Sequence, residues 1–553
     1  MVHHTYTDHV KAESRQRLWT YAIGALTENR NRSRLLSIDR VERGWEYCAS
    51  SLARHTNQKL AKERLNDWLV FADSRYGQRR PSELRVAYLC GPEPENDMRV
   101  LAQLGVRIEN VWAVEADTKV HDAAMQRARD AFPALKIYRG NFNSFTRVVR
   151  ERFDVVYLDF TAPMFSSDAR PYATIHTLFD EQVLAELSVL VVNVAEPPKS
   201  SDVEELLASY FAHQPLIESA ALGYRDDQNP DSIWYAETAP DQWPSHSALV
   251  SAVGSHLHEF YSAFCTQYPS IYANRVQPAL RLLRVADART SLYVNDPKVY
   301  ETAFDAASDT NAVRAMLTGG ELPKRPDGFG PGMDLILSAS EFPLWWFIEG
   351  LREKKQGNKI AQKWVSEYQE KLSPLDSNSY RPTRIDAVRL SDLLWLIAEG
   401  YFPLASKALL TAMVRALDAF AGNKEGLFCD IPMLHLISQL ALNQIGFPYH
   451  PVQEQHWRAT YKAKQTRMFL DIHVFDQCRP IYDRLPSVTL YPDHFCDLNE
   501  QFITRIGISL IEAQARGLVP KLYWASSLEA RYGSEWERWA TPPNRADLNV
   551  ADQ

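Results

Sequence analysis

Short runs of β-branched and aromatic residues alternate with helical stretches between residues 85 and 238. The strand-like runs are "RVAYLC", "VWAVE", "LKIY", "DVVYLDF" and "SVLVVNV". This alternation predicts right-handed βαβ units and a parallel sheet. The runs are almost wholly apolar, as expected for strands covered by helices on both faces. Two later runs, "LIESAAL" and "SIWYAET", are predicted to pair as an antiparallel edge of the same sheet.

The sequence on either side of this region is predicted to be helical. Apolar residues recur at helical spacing in residues 1–84 and again in residues 241–553, for example in "LLWLIAEGYF". A Gly/Pro-rich stretch at 318–334 predicts an internal break. We therefore predict an α/β protein with a helical N-terminal segment (1–84), a Rossmann-like domain (85–240) and a large, mostly α-helical C-terminal domain (241–553).

Charge adds one feature to this picture. The net charge of −8 does not indicate a nucleic-acid partner, but the first 90 residues hold 16 Lys and Arg against 10 Asp and Glu. Such a basic segment could face the phosphates of RNA or DNA. A solvated face of helices with mixed charge explains the same numbers, so both interpretations stay open.

Cysteine usage and hydropathy predict a cytoplasmic protein without a membrane segment. The six cysteines have no regular spacing, and no apolar run reaches the ~18–20 residues that cross a bilayer. His473, Cys478, His494 and Cys496 are residue types that bind zinc. Their spacing matches no standard finger, so we predict no metal site.

The stretch "YLCGPEPEND" carries the first candidate chemistry. In an open parallel sheet the ligand binds beyond the carboxyl ends of the strands, next to the first strand, which here ends at Cys90–Gly91. Gly91 permits a close approach of the backbone to a ligand. Glu93, Glu95 and Asp97 would repel a pyrophosphate, and the fingerprint G-x-G-x-x-G is absent. The acidic loop suits a cationic ligand without phosphate, such as S-adenosylmethionine.

The ends of the later strands carry further candidates. Glu115 ends "VWAVE", where a carboxylate can accept hydrogen bonds from both ribose hydroxyls, and Asp117 is predicted to cap the next helix. Asn141 could accept from an adenine amino group, and Phe142 could lie against the ring. Asp159 ends the fourth strand and is predicted to point into the same crevice.

Residues 85–238 resemble the class I S-adenosylmethionine-dependent methyltransferases. The similarity lies in "YLCGPEPEND", "VWAVEAD", "GNFNSF" and "FDVVYLDF", and the antiparallel pair also fits that fold. The resemblance implies that Gly91 and Glu93 contact the methionine moiety, that Glu115 binds ribose, and that Asn141 with Phe142 holds adenine. Three motifs depart from the family: one glycine stands in the first, Asn141 stands where the third often has Asp, and "DFTAP" replaces the usual D/N-P-P-Y/F of the fourth.

The resemblance implies a methyltransferase. The large helical C-terminal region favours a macromolecular acceptor, and the basic N-terminal segment makes RNA or DNA the first expectation. Asp159 would orient the acceptor and the Phe160 region would stack on it. For an amino acceptor Asp159 accepts a hydrogen bond, and for a hydroxyl it serves as base. Two alternatives stay open: a non-catalytic protein that senses S-adenosylmethionine or a nucleoside, and a methyltransferase of small molecules or proteins. The helical C-terminal region could form a groove for a macromolecule or a homo-oligomer interface.

Overall fold

A computed structural model describes residues 9–35, 62–211, 246–278, 358–372, 402–420, 446–482 apart from residue 464, and 545–549, with a few single positions between them. The strands of this part form one nine-stranded sheet in the order β3-β2-β1-β4-β5-β8-β7-β9, with β6 paired to β8. The α/β class is confirmed. No helix in these ranges is both long and apolar enough to cross a membrane.

The parallel half of the sheet follows the predicted strands. Its members are β1 (Val86–Leu89), β2 (Val111–Glu115), β3 (Lys136–Arg139), β4 (Phe153–Asp159) and β5 (Leu184–Ala195). All of their pairings are parallel. The chain moves from β1 outward to β3 and then returns to β4 on the other side of β1. The strand order therefore reverses between β1 and β4, which is where open α/β sheets bind their ligands.

The antiparallel half of the sheet comes from a part of the chain that we predicted to be mostly helical. It consists of β6 (His450–Pro451), β7 (Trp457–Ala463) and β8 (Thr466–Asp476), together with β9 (Ala546–Asp547). β8 pairs with β5 over its length, so it fills the position that we expected "LIESAAL" and "SIWYAET" to take. Those two runs lie outside the described residues. The sheet therefore does not end at residue 240, because strands from beyond residue 450 complete it.

Helices cover both faces of the sheet. The described α-helices of the N-terminal half are α1 (His9–Leu26), α2 (Arg30–Ser33), α3 (Lys62–Tyr76), α4 (Glu95–Gln103), α5 (Thr118–Ala131), α6 (Phe142–Val148), α7 (Pro171–Asp180) and α8 (Ser201–Phe211). Those that follow are α9 (His246–Ser255), α10 (Leu257–Ile271), α11 (Lys359–Leu372), α12 (Lys407–Phe420) and α13 (Arg479–Tyr482).

α1 lies on the same face of the sheet as α4 and α5. Trp19 of α1 is fully buried and packs edge-on against Tyr88 of β1 and Tyr157 of β4, with ring centroids 6.2 and 5.6 Å apart. Aromatic contacts of this geometry stabilise beyond the area they bury. α1 is thus fixed across the strands between which the order reverses.

The opposite face is covered by α6, α7 and α10, with α8 and α11 packed on α10. Phe145 of α6 contacts Trp112 of β2, and Tyr261 of α10 packs edge-on against Phe469 of β8. Phe264 of α10 lies against Tyr210 of α8 and Trp364 of α11.

A buried network of polar side chains lies between β8 and α10. Asp471, which is 1% exposed, has its Oδ2 2.8 Å from Nη2 of Arg545, and its Oδ1 accepts from Thr266 Oγ1 at 2.6 Å. His456 Nε2 lies 3.3 Å from the same Oδ1. Burial favours the neutral acid, yet Arg545 and His456 hold the pKa of Asp471 below its ordinary value. We call Asp471, Arg545, Thr266 and His456 the buried network.

Candidate functional site

The parallel strands β1, β2, β4 and β5 end at one edge of the sheet, here called the carboxyl edge. Because parallel strands present their carboxyl ends together, residues that are far apart in sequence meet there. Gly91, Glu115 and Asp159 follow or end β1, β2 and β4, so the structure places these three predicted residues at the same edge.

Gly91 adopts a backbone conformation that other residues rarely take. Its φ is +58°, and a Cβ added to it would meet no atom within 4 Å. The positive φ explains why glycine stands here, and the open space beside it leaves room for a ligand to approach the backbone. Cys90 donates its N–H to Val114 O at 3.2 Å, which keeps this turn beside the end of β2.

The loop acids Glu93 and Glu95 are paired with an arginine of α5. Arg127 lies 3.1 Å from Glu93 Oε1 through Nη1 and donates from Nε to Glu95 Oε1 at 2.8 Å. Glu95 is buried, and its second oxygen has no partner among the described residues. The hydrogen bond from Arg127 to Glu95 raises the pKa of the guanidinium, so the two acids share a firmly held positive charge.

The third loop acid, Asp97, faces α1. Its Oδ1 accepts from Trp19 Nε1 at 2.8 Å and from Arg15 Nε at 3.1 Å. Burial raises the pKa of Asp97 although Arg15 opposes the change. Taken with the Arg127 pairs, the loop does not present three free carboxylates to the crevice. The prediction of an acidic cradle is wrong in this respect, because arginines from α1 and α5 compensate the acids.

Glu115 stands at the tip of β2 and is half-buried. Its Oε1 accepts the backbone N–H of Asp117 at 2.8 Å, and no described group donates to Oε2. Asp117 caps α5 as predicted, accepting from the N–H groups of Lys119 and Val120. Glu115 therefore keeps one carboxylate oxygen for a ligand.

The structure gives Asn141 and Phe142 local structural roles. Asn141 is the N-cap of α6, and its Oδ1 accepts from Ser144 N at 2.8 Å. Phe142 is 2% exposed and packs against Phe145, with ring centroids 5.4 Å apart. A cap leaves the Asn141 Nδ2 group free to meet a base, but the Phe142 ring faces the core. Their proposed contact with adenine stays a prediction.

Asp159 belongs to a cluster of side chains at the carboxyl edge. Asn193 of β5 donates from Nδ2 to Asp159 Oδ1 at 2.7 Å and to Tyr461 Oη at 2.8 Å. Burial, followed by the charge of Asp159, raises the pKa of Tyr461, so the phenol stays protonated. We call Asp159, Asn193 and Tyr461 the edge cluster. Phe160 is 8% exposed and donates its backbone N–H to Asn193 O, which fixes the turn after β4.

α1 closes over the edge cluster. Lys11 Nζ lies 3.6 Å from Asp159 Oδ2, and the side chain of Asp159 is 18% exposed. Ser14, one turn further along α1, is buried and donates to Lys11 O at 2.9 Å. The first turns of α1 thus form one wall of the site, which the sequence did not reveal.

Sequence reasoning missed Asn193 and Tyr461. Asn193 is fully buried, and its Oδ1 has no hydrogen-bond partner among the described residues. The single amide in the apolar run "SVLVVNV" was a usable signal, because a buried polar side chain in such a strand needs partners. No signal pointed to Tyr461, which reaches the edge only through the pairing of β7 with β8.

The basic N-terminal segment offers fewer free cations than its composition suggests. Arg30 is 4% exposed and donates from Nε to Gly77 O at 2.8 Å. Arg75 and Arg79 form ion pairs with Glu186 and Asp154 at 2.7 and 2.9 Å. Within the described ranges these three arginines join parts of the fold, whereas Arg32, Arg80 and Arg85 are exposed.

The His/Cys set that we weighed for zinc is only partly described. His473 is buried between Ser270 Oγ, 3.2 Å from Nδ1, and the stacked ring of Phe475. Cys478 is buried and forms no disulfide among the described residues, and residues 494 and 496 lie outside the described residues. Among the described side chains, no group of three or more His, Cys, Asp or Glu is arranged to hold a metal ion.

Comparison of the sequence with protein-family models finds no match, and comparison with curated proteins finds none either.

Proposed function

We propose that this protein is an S-adenosylmethionine-dependent methyltransferase whose cofactor binds at the carboxyl edge, across the ends of β1 and β2. The observation that carries the proposal is the open space beside Gly91, next to a carboxylate oxygen of Glu115 that no described group occupies. The end of β1 borders the reversal of strand order between β1 and β4, and ligands of open α/β sheets bind at such a reversal. An antiparallel strand beside β5, which the resemblance implied, supports the same family.

The residues present fit this cofactor. A Cβ at position 91 would fill space that the ligand needs, and Glu115 Oε2 can accept from a ribose hydroxyl. Glu93 is partly exposed on the same loop, and its Oε2, which accepts from Asn96 Nδ2 at 2.9 Å, keeps a lone pair that can meet the ammonium of the methionine moiety. The carboxylates that can attract the positively charged cofactor are those of Glu115, Glu93 and Asp159. The buried Glu95 and Asp97 do not contribute to this attraction.

We assign to Asp159 the role of orienting the methyl acceptor. The bound cofactor supplies a methyl group already activated by a positively charged sulfur. The protein then needs to position the nucleophile and receive its proton. Asn193 holds one oxygen of Asp159, so the other is aimed at the acceptor side, where Phe160 fixes the backbone.

A macromolecular acceptor, with RNA or DNA first, remains part of the proposal. Arg32, Arg80 and Arg85 are exposed and are the described arginines of the segment most available to phosphates. Because Arg30, Arg75 and Arg79 serve the fold, we expect modest nucleic-acid affinity with a weak salt dependence.

A second function is favoured by a specific observation. Both oxygens of Asp159 already face donors, Asn193 and Lys11, and two of the loop acids are neutralised by Arg127. A site whose carboxylates already have partners suits a non-catalytic protein that binds S-adenosylmethionine or a nucleoside and acts as a regulator. Methyl transfer from labelled cofactor into RNA, DNA, protein and metabolite pools separates this function from the enzyme.

Calorimetry with S-adenosylmethionine, S-adenosylhomocysteine and NAD tests the binding proposal. We expect the wild type to prefer the first two, and Glu115→Ala to weaken them by about 1–3 kcal/mol because ribose hydroxyls lose their acceptor. Glu109→Ala is the matched control, since Glu109 is exposed and precedes the same strand at the opposite edge of the sheet. Equal or tighter binding of NAD, or an unchanged affinity of Glu115→Ala, contradicts the proposal.

A further inference from the structure

A primary amine of the chain itself lies at the position assigned to the acceptor. Lys11 Nζ is 3.6 Å from Asp159 Oδ2, and the Lys11 side chain is 38% exposed. A direct charge-assisted hydrogen bond is shorter, about 2.7–2.9 Å. A pair of this length and exposure contributes little to stability.

Other contacts hold α1 over the site. Arg15 and Trp19 both donate to Asp97 Oδ1, and Trp19 is fully buried against β1 and β4. These anchors lie one and two turns after Lys11 and fix the direction in which α1 enters the carboxyl edge. The Lys11 amine is thereby kept near Asp159 at a high effective concentration.

The carboxylate that Lys11 meets is itself oriented. Asn193 Nδ2 donates to Asp159 Oδ1 and to Tyr461 Oη, and both Asn193 and Tyr461 are buried. One oxygen of Asp159 is therefore fixed by the sheet, and the other faces the amine. An amine beside a positioned carboxylate and beside a methyl donor has the arrangement that N-methylation requires.

We propose that this site methylates its own Lys11. The inference rests on the proposed function and extends it, because it identifies a lysine-type primary amine as an acceptor and Lys11 as its first instance.

The step balances without any further reactant. Lys11 Nζ loses a proton to Asp159 or to water, and its lone pair forms a bond to the methyl carbon. The bond from that carbon to sulfur breaks, its electron pair stays on sulfur, and S-adenosylhomocysteine leaves as a neutral thioether. Because the deprotonated amine is consumed, we expect the rate to rise with pH.

The test is incubation of the full chain with methyl-deuterated S-adenosylmethionine, followed by mass spectrometry of the intact protein and of its peptides. We expect one to three labelled methyl groups on Lys11, formed at a rate per molecule that does not depend on protein concentration. Lys11→Arg should abolish the label, and Asp159→Asn should slow it at least tenfold.

Lys199 provides the matched control. Its ammonium lies 3.8 Å from Glu204 Oε1 just beyond β5, so it is also a lysine–carboxylate pair near the carboxyl edge, but not beside Asp159. Lys199→Arg should leave the label on Lys11 unchanged. If calorimetry shows that the cofactor binds and Lys11 stays unlabelled, self-methylation is wrong while the proposed function survives. If no cofactor binds, both are wrong.

Discussion

The edge cluster and the buried network stand on opposite faces of the same sheet and are built from similar side chains. In the edge cluster, Asp159 keeps an 18% exposed side chain and its partner Asn193 has an oxygen without a described partner. In the buried network, Asp471 is 1% exposed and has an arginine, a hydroxyl and an imidazole around it.

The difference separates two uses of a carboxylate inside a fold. Asp471 is enclosed by Arg545, Thr266 and His456, and its charge joins β8, α10 and the segment at Arg545, although its Oδ2 meets Arg545 only as an ion pair. Asp159 is held by Asn193 on one side and faces the partly exposed Lys11 amine on the other, and the unpartnered oxygen of Asn193 is a feature that native structures rarely keep without a reason. We therefore expect the buried network to determine stability and the edge cluster to determine binding and catalysis.

The largest expected effect is on the buried network. Arg545→Met removes the cation that balances Asp471 and should lower the free energy of unfolding by about 3–5 kcal/mol, the usual cost of leaving one buried charge unpaired. Chemical denaturation measures this change, and the affinity for S-adenosylmethionine per folded molecule should stay as in the wild type.

A double variant provides the control for Arg545. Arg545→Met with Asp471→Leu removes both charges and should recover most of the loss, because an apolar pair costs no uncompensated charge. A loss below about 1 kcal/mol in the single variant would mean that water reaches Asp471, and the contrast between the two clusters would then disappear.

The sequence predicted the half of the sheet whose strands are encoded locally. β1 to β5 are short apolar runs separated by helices, so their identity and parallel direction could be predicted from pattern alone. The same pattern placed Gly91, Glu115 and Asp159 at one edge, and Asp117 at a helix cap. These features depend on residues within a few positions of each other.

The missed features all depend on distant partners. β8 contains Asp471 and His473, which look unsuited to a buried strand until Arg545 and Ser270 arrive from elsewhere in the chain. The loop acids looked free because their arginines lie in α1 and α5. The sequence pattern shows which residues are polar or charged, but it does not show which distant residue will form an ion pair or a hydrogen bond with each of them.

An intermediate effect is expected from acid, because His473 packs against His456 of the buried network, with ring centroids 4.6 Å apart. Burial first, and then repulsion from His456, holds the pKa of His473 well below its ordinary value. A folded-state pKa below the unfolded value near 6.5 means that the unfolded chain takes up the proton first. Neutral His473 therefore leaves the folded state fully stable above pH ~6.5. Below that pH the free energy of unfolding falls by about 1.4 kcal/mol per pH unit.

His473→Phe tests this dependence and keeps the stack on Phe475. Between pH 7.5 and 5.0 the variant should lose about 2 kcal/mol less than the wild type in urea denaturation. Asp476, whose buried carboxyl has its pKa raised to about 6, gains stability as pH falls but does so equally in both proteins. His9→Gln, at an exposed position, should leave the pH profile unchanged, and identical profiles of His473→Phe and wild type would contradict the prediction.

The smallest effect on stability and a large effect on catalysis are expected at Asn193. Asn193→Leu removes two hydrogen bonds and also the unpartnered oxygen, so the free energy of unfolding should change by no more than about 1 kcal/mol. Asp159 loses the group that orients it, and methyl transfer should fall at least tenfold with little change in cofactor affinity.

Thr266→Val is the counterpart in the buried network: it removes the donor to Asp471 and should lower stability by about 1–3 kcal/mol without slowing transfer. If Asn193→Leu instead unfolds the protein while transfer per folded molecule is unchanged, the edge cluster is a second structural network, and the functional distinction between the two faces is lost.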